Sequence, residues 1–121
     1  MKNQKSMPFL VLTALACGCT SMKPLALQQA ALPKDQVDAR GLYTENCATC
    51  HGQDGRGETF HGWLVGAQNF TATKWQTDTT EAEIVKAIKT GPWVMPVFEK
   101  KLSAAEIEAL ADYVRAFKPA G

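Results

Sequence analysis

The sequence has little net charge, few metal-binding side chains and no pattern typical of β-strands. Its 13 basic and 12 acidic residues give a formal charge of +1, so the basic stripe of a nucleic-acid-binding protein is absent. No segment alternates apolar and polar residues for long enough to predict a strand. With 121 residues, the chain has room for one small domain, which we expect to be helical.

Cysteine, histidine and methionine are scarce, and their positions are informative. There are four Cys, four Met and two His. Three of the Met lie in the first 22 residues, so the rest of the chain contains Met95 alone, with Cys47, Cys50, His51 and His61. Two thiols are too few for a disulfide scaffold. This set is sufficient to hold one metal cofactor.

Residues 1–19 have the features of an export signal. Two lysines precede a short apolar run, and small residues follow it. The run of about 10 residues is shorter than the roughly 20 that a membrane-spanning helix needs. The residues around Cys19 also resemble a bacterial lipoprotein signal, in which a cysteine becomes the lipidated first residue. We therefore expect export, with lipidation at Cys19.

Other interpretations of the N-terminus remain open. Cys17 could be the lipidated residue, ordinary signal peptidase could cleave after Ala16, or the segment could stay as an uncleaved anchor. Lipidation is favoured because an exported chain would otherwise expose free thiols to oxidation. Residues 20–33 contain one charge and two prolines, which predicts a flexible tether, with a short packed helix as the alternative. The domain itself is then expected over residues 34–121.

Three segments of this domain carry helix patterns. The first covers residues 35–50. The second begins with a capping box at Thr80 and ends at Gly91, and the third begins with a capping box at Ser103 and ends before Pro119. Between the first two, the sequence predicts an irregular stretch rich in Gly, Thr, Gln and Asn. Three short helices bury little core, so a large apolar cofactor would complete the domain.

The sequence Cys47-Ala48-Thr49-Cys50-His51 is the Cys-x-x-Cys-His motif that attaches c-type haem. On a helix, the two thiols lie about one turn apart and can add to the two vinyl groups of one porphyrin, while the His faces the iron. A thioredoxin-like motif needs a βαβ setting, and a structural zinc site needs four ligands at other spacings. We therefore predict one covalent haem c.

Met95 is the predicted second axial ligand of the iron, opposite His51. It is the only Met of the domain, it lies in a loop between two predicted helices, and Pro96 restricts that loop. A His/Met pair suits electron transfer. The alternative for Met95 is core packing. His61 follows His51 by only ten residues in a Gly-rich loop, so we expect it to lie at the surface.

Together these motifs resemble the class I monohaem cytochromes c of the small bacterial type. Tyr43 precedes the first haem cysteine by four residues, Met95 is followed by proline, and Leu110 and Tyr113 lie on the last helix. The resemblance implies an all-α cytochrome c fold, with three to five short helices and long loops wrapped around one haem. It also implies that Tyr43 packs in the core against the last helix, near Tyr113.

Further haem contacts are expected at four side chains. By resemblance, Arg56 and Trp75 could bond the haem propionates, although Arg56 could be a solvated loop charge and Trp75 could cover the haem edge. Trp93, with Phe98, is expected to pack on the haem. In the family, a proline often marks the carbonyl region that accepts the proton of the haem histidine. Residues 66–70 lack that proline, so the sequence does not identify which carbonyl accepts the proton.

The expected function is one-electron transfer by a periplasmic carrier, tethered through Cys19, and not catalysis. No acid, base or nucleophile constellation is present, and Met95 would block the iron from a substrate. Redox proteins (a dehydrogenase, reductase or oxidase) are the expected partners, with no nucleic acid and no small-molecule substrate. One alternative is a dedicated electron-accepting subunit of a dehydrogenase or reductase complex. Another is a haem enzyme or gas sensor with a labile sixth ligand.

Overall fold

A computed structural model describes residues 32–117, which are helical and contain no strand. The predicted export signal, Cys19, most of the tether (residues 20–31) and residues 118–121 lie outside the described residues. Within residues 32–117, each helix is too short or too polar to cross a bilayer. After a 3-10 turn come six α-helices: α1 Ala39–Asn46, α2 Ala48–His51, α3 Phe60–Val65, α4 Thr73–Asp78, α5 Glu81–Thr90 and α6 Ala104–Arg115.

The all-α class is confirmed, and the described residues contain one α-helix more than the three to five expected. Residues 52–78, predicted to be irregular, form α3 and α4, which are too short to show a helical period in sequence. The predicted helix over residues 35–50 is divided. Its first turn is the 3-10 turn Lys34–Gln36, and non-helical backbone at Cys47 (φ −120°) separates α1 from α2.

Both predicted capping boxes are present. At α5, the Glu83 backbone N–H donates to the Thr80 hydroxyl over 3.2 Å, while the Thr80 N–H donates to the Glu83 carboxylate over 2.7 Å. Ser103 and Glu106 exchange the same pair of bonds at α6. Each box satisfies backbone donors that the first turn of a helix leaves without partners. The boxes therefore define where the two longest helices begin.

The crossing of α1 and α6 forms the centre of the core. Tyr43 is fully buried, and its ring centroid lies 5.1 Å from that of Tyr113 and 5.3 Å from that of Phe117. Its hydroxyl donates to the Gly52 carbonyl oxygen over 2.8 Å, so the buried polar atom is satisfied. Leu110 is buried beside them. The predicted packing of Tyr43 against the last helix is confirmed, and it fixes where α2 follows α1.

Candidate haem site

The two motif cysteines lie at the start and within the single turn of α2. Both thiols are free and half-buried, and the His51 backbone N–H donates to the Cys47 carbonyl over 2.9 Å, closing the turn. Burial, followed by the neighbouring Cys50, raises the pKa of the Cys47 thiol to about 11. Two unoxidised thiols one helical turn apart match the chemistry needed for two thioether bonds.

The His51 ring is held by a carbonyl and an aromatic face. Its Nδ1 lies 3.1 Å from the Gln68 carbonyl oxygen, which can only accept, so Nδ1 carries the proton. The ring stacks on Phe70 with centroids 4.3 Å apart and an interplanar angle of 17°. Burial lowers the pKa of His51 and favours the neutral imidazole. Nε2 therefore keeps the lone pair that a metal requires.

Gln68 supplies the accepting carbonyl that the sequence left open. Two glycines of the preceding loop allow residues 67–70 to lie close to that loop. The Phe70 N–H donates to the Gly55 carbonyl over 2.7 Å, and a Cβ on Gly57 (φ +73°) would lie 2.6 Å from the Ala67 carbonyl oxygen. Backbone contacts of the Gly-rich loop thus hold residues 67–70 against His51, with no proline needed.

Close packing also joins α3 to α2. A Cβ on Gly62 would lie 2.2 Å from the Cys50 carbonyl oxygen and 2.3 Å from that of Gly57. Any side chain at this position would therefore push the two helices apart. Thr59, which caps α3, also donates from its hydroxyl to the Thr49 carbonyl oxygen over 2.8 Å. The turn that carries the cysteines is thus fixed on the α3 side.

Met95 lies in a tight turn between α5 and α6. Its N–H donates to the Pro92 carbonyl over 3.1 Å, and its side chain is half-buried against the core. Gly91 has φ +58°, and a Cβ there would lie 2.5 Å from the Met95 carbonyl oxygen. Trp93 also has positive φ (59°), a strained conformation for a bulky residue, and its side chain is fully exposed.

The other side chains predicted to contact the haem differ in how deeply they are buried. Trp75 is half-buried, with its ring 5.0 Å from that of Phe70, so it lies beside the His51 stack. Arg56 is half-exposed, and its Nε lies 3.6 Å from the Asp54 carboxylate. Phe98, expected on the haem, is buried in the protein core. These haem contacts, and that of Trp93, stay predictions.

His61 is exposed at the surface, as expected. Sequence reasoning missed the roles of Gln68 and Phe70 toward His51, because a backbone carbonyl has no residue signature. The position of Phe70, at the end of the segment where the family proline is absent, was the one available signal. No three His, Cys, Asp or Glu side chains in residues 32–117 gather as they would around a bare metal ion.

The residues present fit a haem. At α2 the chain offers a thiol pair and an imidazole whose Nε2 is available, and the Met95 thioether lies in the separate loop between α5 and α6. Large apolar side chains are exposed on α3 and in the Met95 loop, which is unusual for a small soluble domain unless something covers them. They are Phe60, Trp63, Leu64, Val65, Trp93, Val94 and Val97. An apolar macrocycle is the kind of group that would bury such a surface.

This helical fold with Cys-x-x-Cys-His on a short helix defines a c-type cytochrome domain, which carries one covalent haem c. The family model described as "Cytochrome C oxidase, cbb3-type, subunit III" matches residues 34–114, and the chain belongs to that family.

Individual relatives agree with this assignment. The chain is 39% identical over 74 residues to the cbb3-type oxidase subunit CcoP of Azospirillum brasilense, covering 60% of this chain and 25% of that one. It is 34% identical to cytochrome c6 of Microcystis aeruginosa, covering 65% of this chain and 93% of that one. The KustC0563 c-type cytochrome matches with a TM-score of 0.64 and 40% identity, covering 68% of this chain and 99% of that structure. The chain thus spans about a quarter of the CcoP relative.

Proposed function

We propose that the protein is a one-electron carrier with a haem held by Cys47 and Cys50 and ligated by His51 and Met95. The observation that carries this proposal is the His51 geometry: its Nδ1 is committed to the Gln68 carbonyl, which leaves Nε2 for the iron. Bound in this way, haem c supplies an Fe(III)/Fe(II) couple. Every other contribution comes from the chain, which sets the potential and limits access to the metal.

Each side chain has a distinct part in this proposal. The Gln68 carbonyl orients the imidazole and increases its basicity. The Met95 thioether would be the second protein ligand of the iron and would limit the access of small ligands to it. Trp93, which is fully exposed at a positive φ in this turn, would cover the macrocycle. Trp75 and Arg56 would bond the haem propionates; in the alternative, Trp75 would cover the haem edge and Arg56 would be a solvated loop charge.

Redox proteins are the proposed partners. Two observations bear on whether the protein is an independent carrier or a subunit of a complex. The alignment with cytochrome c6 covers 93% of that protein, which favours an independent carrier. The matches to CcoP and FixP favour the alternative, an electron-accepting subunit of an oxidoreductase complex. A dehydrogenase, reductase or oxidase would suit either role. We propose that the protein works in the periplasm, where the predicted export signal would deliver it.

Carbon monoxide binding tests the carrier function. We expect the purified holoprotein to titrate reversibly with one electron, and its ferrous form to leave CO unbound, because Met95 occupies the sixth position. Optical titration against redox mediators, followed by CO addition to the reduced protein, measures both. Ready CO binding by the unaltered protein would instead favour a haem enzyme or gas sensor with a labile sixth ligand.

Membrane tethering through lipidated Cys19 is a separate proposal, supported by the lipoprotein-like residues around it. The Cys19→Ser variant is expected to leave the membrane fraction and appear in the soluble periplasmic fraction, because one acylated residue is the only anchor proposed. Haem staining of both fractions measures the distribution. Cys17→Ser is the matched control and should stay in the membrane. Retention of Cys19→Ser would point to Cys17 or to an uncleaved anchor.

A further inference from the structure

The side-chain amide of Gln76 on α4 joins three parts of the molecule. Its Nε2 donates to the Phe70 carbonyl oxygen over 2.7 Å and to the Val114 carbonyl oxygen over 3.1 Å. The first bond reaches the loop beside His51, and the second reaches Val114 in the last turn of α6. Gln76 is half-buried, so its bonds are shielded from competing water.

Arg115 determines which way this amide faces. One of its guanidinium nitrogens donates to both the Gln76 carbonyl oxygen (2.8 Å) and the Gln76 Oε1 (3.1 Å). The other terminal nitrogen donates to the Thr79 carbonyl oxygen just after α4. Because arginine has no acceptor, Oε1 must face it and Nε2 must face Phe70. The hydrogen bonding thus admits one orientation of the amide.

Phe70 connects the Gln76 hydrogen bonds to His51, the proposed haem ligand. Its N–H is bound to the Gly55 carbonyl and its carbonyl is bound to Gln76, so both backbone polar groups are fixed. Its ring stacks on His51, and Gln68, two residues earlier, accepts the Nδ1 proton. The backbone that orients the imidazole is therefore held by Gln76 of α4, which is itself bound to Val114 and Arg115 of α6.

We infer that Gln76, oriented by Arg115, is a positioning residue that tunes the reduction potential through Phe70 and His51. This inference rests on the proposed ligation of iron by His51. Without the Gln76 donor, the Phe70 carbonyl loses its partner and residues 68–70 are free to shift. The bond from His51 Nδ1 to Gln68 then lengthens, the imidazole becomes a weaker base, and the ferric state loses stabilisation relative to the ferrous state.

The Gln76→Met variant tests this in the holoprotein, because Met has nearly the same length and the same charge but no N–H donor. We expect the potential to rise, with the equilibrium constant for reduction increasing about threefold, or about 28 mV at 59 mV per tenfold for one electron. We also expect faster solvent exchange of the His51 Nδ1 proton in the ferrous protein, measured by NMR. A purely structural role would lower the unfolding midpoint and leave both of these readouts unchanged.

Two further variants keep the inference falsifiable. Ser103→Ala removes the cap at the N-terminal end of α6, opposite the end that carries Arg115, so it destabilises the fold without touching the Gln76 bonds. Its potential and proton exchange should match those of the unaltered protein. Arg115→Lys conserves the charge but cannot bind the Gln76 carbonyl, the Gln76 Oε1 and the Thr79 carbonyl together. It should therefore shift the potential and the proton exchange in the same direction as Gln76→Met. This second variant tests the inference even if Gln76→Met fails to fold. Unchanged readouts in the folded Gln76 or Arg115 variants would overturn the inference. Lack of a histidine-ligated haem in the unaltered protein would instead overturn the proposed function.

Discussion

Met95→Ala is expected to keep the haem covalently attached while lowering its reduction potential by roughly 0.1–0.3 V, within the roughly 0.8 V range that axial ligands span. A thioether stabilises ferrous iron, so its removal favours the ferric state. The vacated position should also admit CO to the reduced protein. Redox titration and CO difference spectra measure the two effects. The covalent bonds persist because they depend on α2, which lies far along the chain from this turn.

Thr90→Ala is the matched control for this prediction. Thr90 is exposed at the end of α5, just before the Met95 loop, and its hydroxyl bonds only to the Lys86 carbonyl within that helix, so its truncation should leave the potential near that of the unaltered protein and CO excluded. If Met95→Ala kept the original potential and still excluded CO, another residue would have to be the sixth ligand. His61, exposed on α3, would be the first to examine by the same substitution.

The double variant Cys47→Ala/Cys50→Ala is expected to lose all covalent haem and, with it, cooperative unfolding. A small domain has only about 5–15 kcal/mol of net stability, and the haem would cover much of the apolar surface on α3 and the Met95 loop. Haem staining after denaturing electrophoresis measures attachment, and urea denaturation followed by circular dichroism measures cooperativity. The expected outcome is an unstained chain without a sharp transition.

Cys19→Ser is the control for this experiment, since it replaces a cysteine of the same chain without touching α2. It should retain full haem staining and the original transition. Haem that still survived denaturation in the double variant would contradict thioether attachment at Cys47 and Cys50. A sharp transition without haem would show instead that the α1–α6 crossing around Tyr43 is sufficient for folding.

Local sequence was enough to predict a feature wherever its signal lay within about one helical turn. The boxes at Thr80 and Ser103 place the starts of α5 and α6, because each box needs only residues three apart. The Cys-x-x-Cys-His motif names the cofactor for the same reason. Sequence reasoning missed α3 and α4, since helices of six residues show less than two turns of pattern.

The sequence by itself determined the cofactor class and the cysteine pair and histidine proposed to hold it, and the resemblance to class I cytochromes c predicted the pairing of Tyr43 with the last helix. Tertiary structure decided how His51 is oriented, because Gln68 and Phe70 reach it only after the Gly-rich loop turns back. It also revealed the Gln76 and Arg115 contacts, which join residues 36 to 39 positions apart in the chain. Backbone carbonyls accept without regard to side-chain identity, so the sequence carries no mark of which one will bind.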